Sequence, residues 1–378
     1  MHTRPRSAYI HVPFCRHRCG YCNFTLVAGR DDLAEAYLEA LARELSRLDG
    51  PHEVDTLFFG GGTPTHLPPA QLARLLDLAA RTFPLAAGGE LSVEANPVDL
   101  DAPRAAVLAA AGVTRVSLGA QSFDPQKLAL LERDHSAVDI ERAVDTCRPF
   151  ARSISLDLIF GVPGETLAGW SHDLAQAMAL APDHVSTYGL TFEKGTSYWS
   201  RRTRGELAPV DEEVERQMYE LAIDTLSAAG YEHYEVSNFA RPGHRCRHNE
   251  VYWTGGAYFA AGPGAARYVD GVRSANHRST TTYIHRVLAG QSPIAESEQL
   301  DPEDAARERM VFGLRRLAGI GESEFHRTTG FTIAELGGAA LPQLVEWGLL
   351  DGREGQLRLT RAGLLVSDSI WPKLLVGS

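Results

Sequence analysis

Over the first two thirds of the chain, short apolar stretches alternate with helix-like segments, and this alternation restricts the fold more than any other feature. Six stretches, at 8–12, 54–59, 91–95, 113–118, 154–160 and 184–190, are rich in β-branched or aromatic residues and bounded by Gly, Pro, Asn or Asp. Between them lie Ala/Leu/Glu/Arg-rich segments such as 33–48 and 70–80, with apolar residues at helical spacing. Repeated β/α units imply a parallel sheet joined by right-handed crossovers. Six units, where a closed barrel has eight, predict an incomplete (β/α)6 barrel open on one side. In such α/β folds, ligand chemistry gathers at the carboxyl ends of the strands.

The first stretch runs directly into a cysteine loop. Tyr9-Ile-His-Val-Pro-Phe-Cys15-Arg-His-Arg-Cys19-Gly-Tyr-Cys22 holds three of the five cysteines in C-x3-C-x2-C spacing. Gly20, and the lack of a helical apolar period, allow the backbone to loop so that Cys15, Cys19 and Cys22 converge on one metal centre. A structural zinc site usually closes with four ligands, and position 24, where a nearby fourth cysteine would stand, is Phe24. A [4Fe–4S] cube held by three thiolates keeps one iron open for a small molecule. The spacing favours such a cluster over zinc and over unrelated buried cysteines. Arg16 and Arg18 are placed to offset the thiolate charge.

Later strand ends carry motifs of their own. After the second stretch comes Gly60-Gly-Gly-Thr-Pro-Thr65, where absent side chains let the backbone approach a ligand. The third ends in Ser92-Val-Glu-Ala-Asn-Pro97 and places the Glu94 carboxylate at its tip. The fourth leads into Ser117-Leu-Gly-Ala-Gln-Ser-Phe123, and the fifth holds Asp157 among apolar neighbours. A carboxylate buried in such a strand needs a partner. Structural ion pairs with Arg115 or Arg133 are one solution for Glu94 and Asp157. As a pair on strand ends beside a cysteine loop, they also suit ligands for ribose hydroxyls or an amino-acid moiety.

The cysteine spacing closely resembles that of the radical S-adenosylmethionine (SAM) superfamily. YIHVPFC, GGGTPT, SVEANP, LGAQSF and DLIFGVPGET follow one another as in its HemN/HemW group, and this resemblance spans essentially the whole chain. It implies a partial (β/α)6 barrel with SAM chelating the open iron. By motif position it implies a SAM shell of Gly61, Gly62, Thr63, Glu94, Gln121, Arg133 and Asp157, with Tyr9 packed near the sulfonium. Arg133 is placed by its distance beyond Gln121 and not by its own motif. The group contains oxygen-independent coproporphyrinogen III dehydrogenases and heme chaperones. The dehydrogenase branch carries a further cysteine where this chain has Phe24, and an N-terminal extension where this chain has eight residues before Tyr9. Both departures point to the heme chaperone branch.

Past the sixth stretch the pattern changes. Segment 191–204 is polar and loop-like, 211–229 is an amphipathic helix, and 231–239 alternates like one strand. His248-Asn249-Glu-Val-Tyr252-Trp253 follows, then a Gly-rich run over 254–268. On the residues alone these aromatics are core and His248 is hydrogen-bonded support. The resemblance reverses that reading, because HNxxYW is the motif associated with heme in the chaperone branch. It makes His248, Asn249, Tyr252 and Trp253 heme candidates, with Cys246 or His11 as alternative iron ligands and Cys147 simply buried. Segment 292–301 is expected to be a linker, separating a barrel with its heme-motif extension (1–291) from a C-terminal winged-helix-like module (292–378). In that module helices are expected near 302–317 and 331–346, then two strands around a glycine turn over 349–359 and a final helix.

Composition removes several alternatives. A net charge of −11 argues against a nucleic-acid role for the chain and its winged-helix-like end. No apolar run approaches a membrane span, and the start of the chain lacks the pattern of a secretory signal. Five cysteines, three of them clustered, are not a disulfide framework, so a reducing, cytoplasmic location is expected. The resulting expectation is a heme chaperone with a [4Fe–4S] cluster and SAM, passing heme to an acceptor protein whose identity stays open. The alternative is a coproporphyrinogen III dehydrogenase acting through a 5′-deoxyadenosyl radical.

Overall fold

In the computed structural model, which describes residues 4–375, all six expected strands form. They are β1 (Ser7–Val12), β2 (Val54–Gly61), β3 (Leu85–Ala95), β4 (Arg115–Gln121), β5 (Ser153–Phe160) and β6 (His184–Gly189). Each pairs with the next in parallel, in chain order. β3 starts before the expected residue 91 because Leu85 pairs with Val54 ahead of a register shift. β4 starts two residues late and runs on to Gln121.

Side-chain alternation explains the layering. Ala8, Ile10 and Val12 of β1 are fully buried against the outer helix α1 (Ala34–Leu45), whose Tyr37, Leu38 and Leu41 join the same core. The intervening Ser7, Tyr9 and His11 therefore face the barrel interior. Helices α2 (Pro69–Thr82), α3 (Ala102–Ala110), α4 (Ala137–Cys147) and α5 (Leu167–Ala179) continue the outer layer. Their starts are set locally: the Asp101 carboxylate accepts from the Arg104 N–H at 2.9 Å, and Ser136 with Asp139 forms a capping box on α4. Cys147 is buried at the end of α4, as expected.

The sheet extends past the six strands. Following α6 (Glu212–Ala228), the single strand expected at 231–239 is instead a hairpin, β7 (Glu232–Glu235) and β8 (Asn238–Ala240), antiparallel on β6. After α7 (Arg247–Trp253) comes β9 (Phe259–Ala261), parallel to β1. The order is β9-β1-β2-β3-β4-β5-β6-β8-β7, and the two edge strands do not pair, so the barrel stays open. Segment 191–204 is not all loop, because Thr196 caps a helix over Ser197–Thr203.

The expected linker is a correction. Ile294–Gln299 is strand β12, paired antiparallel with β11 (Val272–Asn276), which in turn pairs with β10 (Ala266–Val269). Its residues are mostly exposed and polar, so no apolar alternation announces it. Helix α8 (Thr280–Leu288) lies between β11 and β12, and α9 (Pro302–Leu314) opens the C-terminal module. There three short antiparallel strands, Ile320–Gly321, Gln356–Leu359 and Leu350–Asp351, pack with helices in a winged-helix-like arrangement. The helix expected over 331–346 is two, Ile333–Gly337 and Ala340–Glu346, broken where Gly338 takes φ 48°. The expected final helix is also two, Arg361–Leu365 and Ser367–Leu375.

Candidate functional site

Beyond Val12, Phe14–Cys15 forms a short parallel bridge with Val27–Ala28, which closes the loop bearing the three cysteines. Arg18 holds that loop by donating to the carbonyls of Cys22 (3.3 Å), Phe24 (3.2 Å) and Leu26 (2.7 Å). Arg278 adds a bond to the Asn23 carbonyl at 2.7 Å. Cys15, Cys19 and Cys22 all line one cavity of about 540 Å3 at the carboxyl ends of the strands. Among the described residues no three His, Cys, Asp or Glu side chains meet tightly enough to hold one ion; the three sulfurs instead share a cavity wall.

The cation against sulfur is Arg133, not Arg16 or Arg18. Its guanidinium lies 3.5 Å from Cys19 Sγ and is oriented by Asn96 Oδ1 at 2.9 Å and the Gly119 carbonyl at 3.2 Å. Arg16 is turned away toward Asp99 at 3.0 Å and Asp134 at 3.4 Å. Thr63 Oγ1 sits 3.3 Å from Cys15 Sγ. Burial pushes the Cys15 thiol up to about 12, with the Thr63 hydroxyl working against it, and raises the Cys22 thiol as well. The Cys15 and Cys22 sulfurs resist ionisation until a positive centre compensates them.

The glycine turn meets these sulfurs from β2. Gly61 adopts φ 108°, and a Cβ there would lie 2.2 Å from the His11 ring. A Cβ on Gly62 would collide with the Phe14 and Val12 carbonyls at 2.6 and 2.7 Å. Only glycine lets this backbone close over β1 while the Gly61 N–H donates to Glu94 Oε2 at 2.9 Å.

Glu94 and Asp157 line the same cavity, and neither is ion-paired among the described residues. Arg115 instead donates to Ser153 Oγ and the His244 carbonyl, both at 3.0 Å. Asp157 is held by Ser117 Oγ at 3.0 and 3.1 Å. Burial lifts Glu94 to about 7, opposed by the Gly61 N–H and reinforced by Asp157. Burial raises Asp157 too. Two carboxylates left short of positive partners suit a ligand that brings its own N–H or O–H donors. Gln121 completes this wall at φ 63°, a left-handed conformation that costs a non-glycine residue on the order of 1–2 kcal/mol. Its neighbours are locked from behind: Asp173 accepts from Ser122 Oγ (2.8 Å) and the Phe123 N–H (2.7 Å), and Lys127 bridges Asp173 to Glu165.

Of the residues expected around SAM, Gly61, Gly62, Thr63, Glu94, Gln121, Arg133 and Asp157 are brought together here. Tyr9 does not line the cavity. It stacks on Phe58 within the barrel, ring centroids 6.0 Å apart, and its hydroxyl meets His11 Nδ1 at 3.1 Å. Sequence reasoning missed Asn96, Ser117 and His17. All three stood inside quoted motifs, His17 between Cys15 and Cys19, but no spacing announces that its ring reaches the Glu132 carbonyl.

The HNxxYW segment lies elsewhere. It forms α7, whose first N–H groups, those of Arg247 and His248, are received by Glu90 at 3.2 Å each. His248 is buried at the amino-terminal end of the barrel interior. Its Nδ1 is 2.9 Å from Thr56 Oγ1 and its Nε2 2.8 Å from Tyr252 Oη, so a neutral ring donates through one and accepts at the other. Burial pushes it down to about 3. Both ring nitrogens of His248, expected as an axial ligand, are hydrogen-bonded in this arrangement. His11 is committed likewise, to Tyr9 and to the Thr25 carbonyl at 2.6 Å. Cys246 is 2% exposed and its thiol is pushed up to about 12 by burial. Tyr252 and Trp253 line a second cavity of about 680 Å3, which Asn249 does not reach.

Comparison with known proteins agrees with this geometry. Residues 9–176 match the Radical SAM superfamily and residues 300–366 the HemN C-terminal domain. The chain is 35% identical to the heme chaperone HemW of Bacillus subtilis (strain 168), over 98% of this chain and 99% of that protein. It is 38% identical to the heme chaperone HemW of Mycobacterium tuberculosis (strain ATCC 25618 / H37Rv), over 99% and 96%. The mitochondrial radical S-adenosyl methionine domain-containing protein 1 of Bos taurus is 35% identical, over 98% and 87%. The coproporphyrinogen III oxidase HemN of Escherichia coli shares the fold, with a TM-score of 0.86 at 24% identity over 98% of this chain and 90% of that one.

Proposed function

From the premise that this chain belongs to the HemW family of the radical SAM superfamily, we propose that it carries heme and delivers it to an acceptor protein, with a [4Fe–4S] cluster and SAM bound in the barrel. The observation that carries this reading is one cavity lined by three cysteine sulfurs, the glycine turn and two carboxylates without cationic partners. Cys15, Cys19 and Cys22 would hold the cluster, and the donor set fits. Arg133 contacts the Cys19 sulfur and Thr63 the Cys15 sulfur, and no carboxylate among the described residues is hydrogen-bonded to these three cysteines. Bound together, such a cluster and SAM supply reductive cleavage chemistry. The chain's own contribution is positional: Gly61 opens the backbone, Glu94 and Asp157 receive donors from the ligand, and Arg133 balances charge on Cys19.

The same reading gives the heme to the HNxxYW segment and its surroundings. It divides the chain into a barrel with that extension and a C-terminal module, with the boundary moved from 291/292 to beyond β12, where α9 begins, and places the protein in the cytoplasm. No helix among the described residues is long and apolar enough to cross a membrane. The test is anaerobic: reconstituted protein is offered heme and, in parallel, coproporphyrinogen III with SAM and reductant. Heme retention and transfer without porphyrinogen turnover is the expected result. Conversion to protoporphyrinogen IX would replace the carrier reading with the dehydrogenase.

A further inference from the structure

The second cavity joins two residues of the HNxxYW segment, Tyr252 and Trp253, to Tyr258, Tyr268 and Arg273, which lie outside every motif quoted above. It opens between α7 with the strands that follow it and helix α9 of the C-terminal module. Tyr258 and Tyr268 are bridge partners, with N–H···O distances of 2.9 and 3.0 Å in the two directions. Tyr268 in turn pairs with Arg273 across β10 and β11. Directly opposed residues of antiparallel strands project from one face. Two phenol rings and a guanidinium therefore stand side by side, and all three line the cavity. Neither phenolic oxygen has a hydrogen-bond partner among the described residues.

The charges are unequal. Arg273 is bound by Glu298 at 3.0 Å and by Glu308. Arg309, facing the same space from α9, has no carboxylate partner among the described residues, and its partial burial lowers its pKa. Tyr252, Trp253 and Phe312 add flat apolar walls. The cavity, about 680 Å3, has aromatic walls, free phenols and Arg309, which lacks an ion pair among the described residues though Glu324 is near enough to act on it. Asp270 and Glu308 are the acids of its lining, and the set matches a planar aromatic carboxylate held at the Arg309 side. Neither His248 nor His11 lines this cavity, so iron held in it needs another donor, and tyrosine is a known heme ligand.

We propose that heme docks in this cavity, with Tyr258 Oη ligating ferric iron and a propionate paired to Arg309, while α7 supplies walls through Tyr252 and Trp253 and no iron ligand. The inference rests on the heme-carrier reading and gives that reading its site. Burial raises the Tyr258 phenol and the positive Arg273 opposes that rise, while Tyr258 is also the phenol that meets Tyr252 of α7 edge-on, ring centroids 4.7 Å apart. On binding, the Tyr258 O–H bond breaks and its proton passes to solvent water. The oxygen lone pair then forms the iron–oxygen bond in place of an iron-bound water, and the iron stays ferric.

The test titrates full-length, cluster-reconstituted protein with hemin, read by visible absorption and by resonance Raman scattering from an iron-bound phenolate. Wild type should bind one equivalent with phenolate modes. Tyr258→Phe should lose those modes and weaken binding at least tenfold. Arg309→Gln should weaken binding about tenfold with the modes kept, and His248→Gln should keep them as well. If wild type binds hemin and Tyr258→Phe retains both spectrum and affinity, the docking proposal is overturned and the carrier reading stands. If Tyr268→Phe alone abolishes the modes, the assignment to Tyr258 is overturned. Wild type that binds no hemin overturns the carrier reading itself.

Discussion

Glu94 is a buried acid whose burial can be measured as stability. Its one strong partner is the Gly61 N–H at 2.9 Å, and Asp157 adds like charge nearby. A rise from 4.5 to about 7 corresponds to about 3 kcal/mol at roughly 1.4 kcal/mol per pKa unit. That is an upper figure, because the carboxylate opens on a cavity that water enters. Between the unfolded and folded pKa values the folded chain holds a proton that the unfolded chain has lost. Stability of the cofactor-free protein therefore falls as pH rises through this window. Below about 4.5 the penalty is absent, and above about 7 it is fully present. Glu94→Gln removes the ionisation and keeps the shape. In urea denaturation, the stability of Glu94→Gln relative to wild type should rise by up to about 3 kcal/mol between pH 5 and pH 8. Comparing the two chains at each pH cancels most other titrations, the exception being Asp157, which Glu94 itself perturbs. A difference that does not change with pH, or that changes in the opposite direction, would refute the burial argument.

Three further outcomes follow from the same geometry. Wild type reconstituted anaerobically should hold oxygen-labile iron and sulfide, and Cys19→Ala should not; stoichiometric zinc without iron in wild type would count against a cluster. Glu94→Ala should weaken SAM binding at least tenfold, by equilibrium dialysis, while iron and sulfide content stays unchanged; unaltered affinity would remove Glu94 from the SAM site. Asp173→Asn should cost about 3 kcal/mol in chemical denaturation, because it strips Lys127 of one of its two buried partners and unsettles Ser122 and Phe123. A loss under about 1 kcal/mol would show that Glu165 suffices alone.

Much of the barrel was legible because its signals are local. A parallel strand buried on both faces leaves a short apolar run, and each of the six runs became a strand, five of them near their expected bounds and the third reaching back to Leu85. Strand-end motifs were legible for the same reason, since a glycine turn or an isolated carboxylate needs no distant partner to be noticed. What depends on tertiary pairing was not. Which arginine meets sulfur is decided by the Asn96 and Gly119 oxygens that aim Arg133, far from the cysteine loop in sequence. Strand β12 is polar and mostly exposed, so its periodicity carries no signal. The second cavity joins Tyr258, Tyr268 and Arg309 through a bridge, a hairpin and a helix of another module, and no spacing rule links those positions.

The first cavity lies at the carboxyl ends of the barrel strands, and the second lies between α7, the strands that follow it and α9. Between them runs an aromatic partition. Tyr9 stacks on Phe58, Phe58 on His248 at 5.1 Å, His248 meets Tyr252 edge-on at 5.2 Å, and Tyr252 meets Tyr258 at 4.7 Å. The imidazole within this partition, and His11 beside it, are pushed by burial down to about 3 and about 4, so both are neutral at pH 7. Their hydrogen bonds run to hydroxyls and a backbone carbonyl and to no carboxylate. A neutral, hydrogen-bonded wall adds no charge of its own that titrates near pH 7. Loading one cavity can then alter the other chiefly through packing of these rings. His248 fits that structural duty: it ties α7 to β2 through Thr56, and so fixes the wall that Tyr252 presents to the second cavity. The HNxxYW segment thus contributes Tyr252 and Trp253 to the wall of the second cavity, and His248 holds that wall in place from behind.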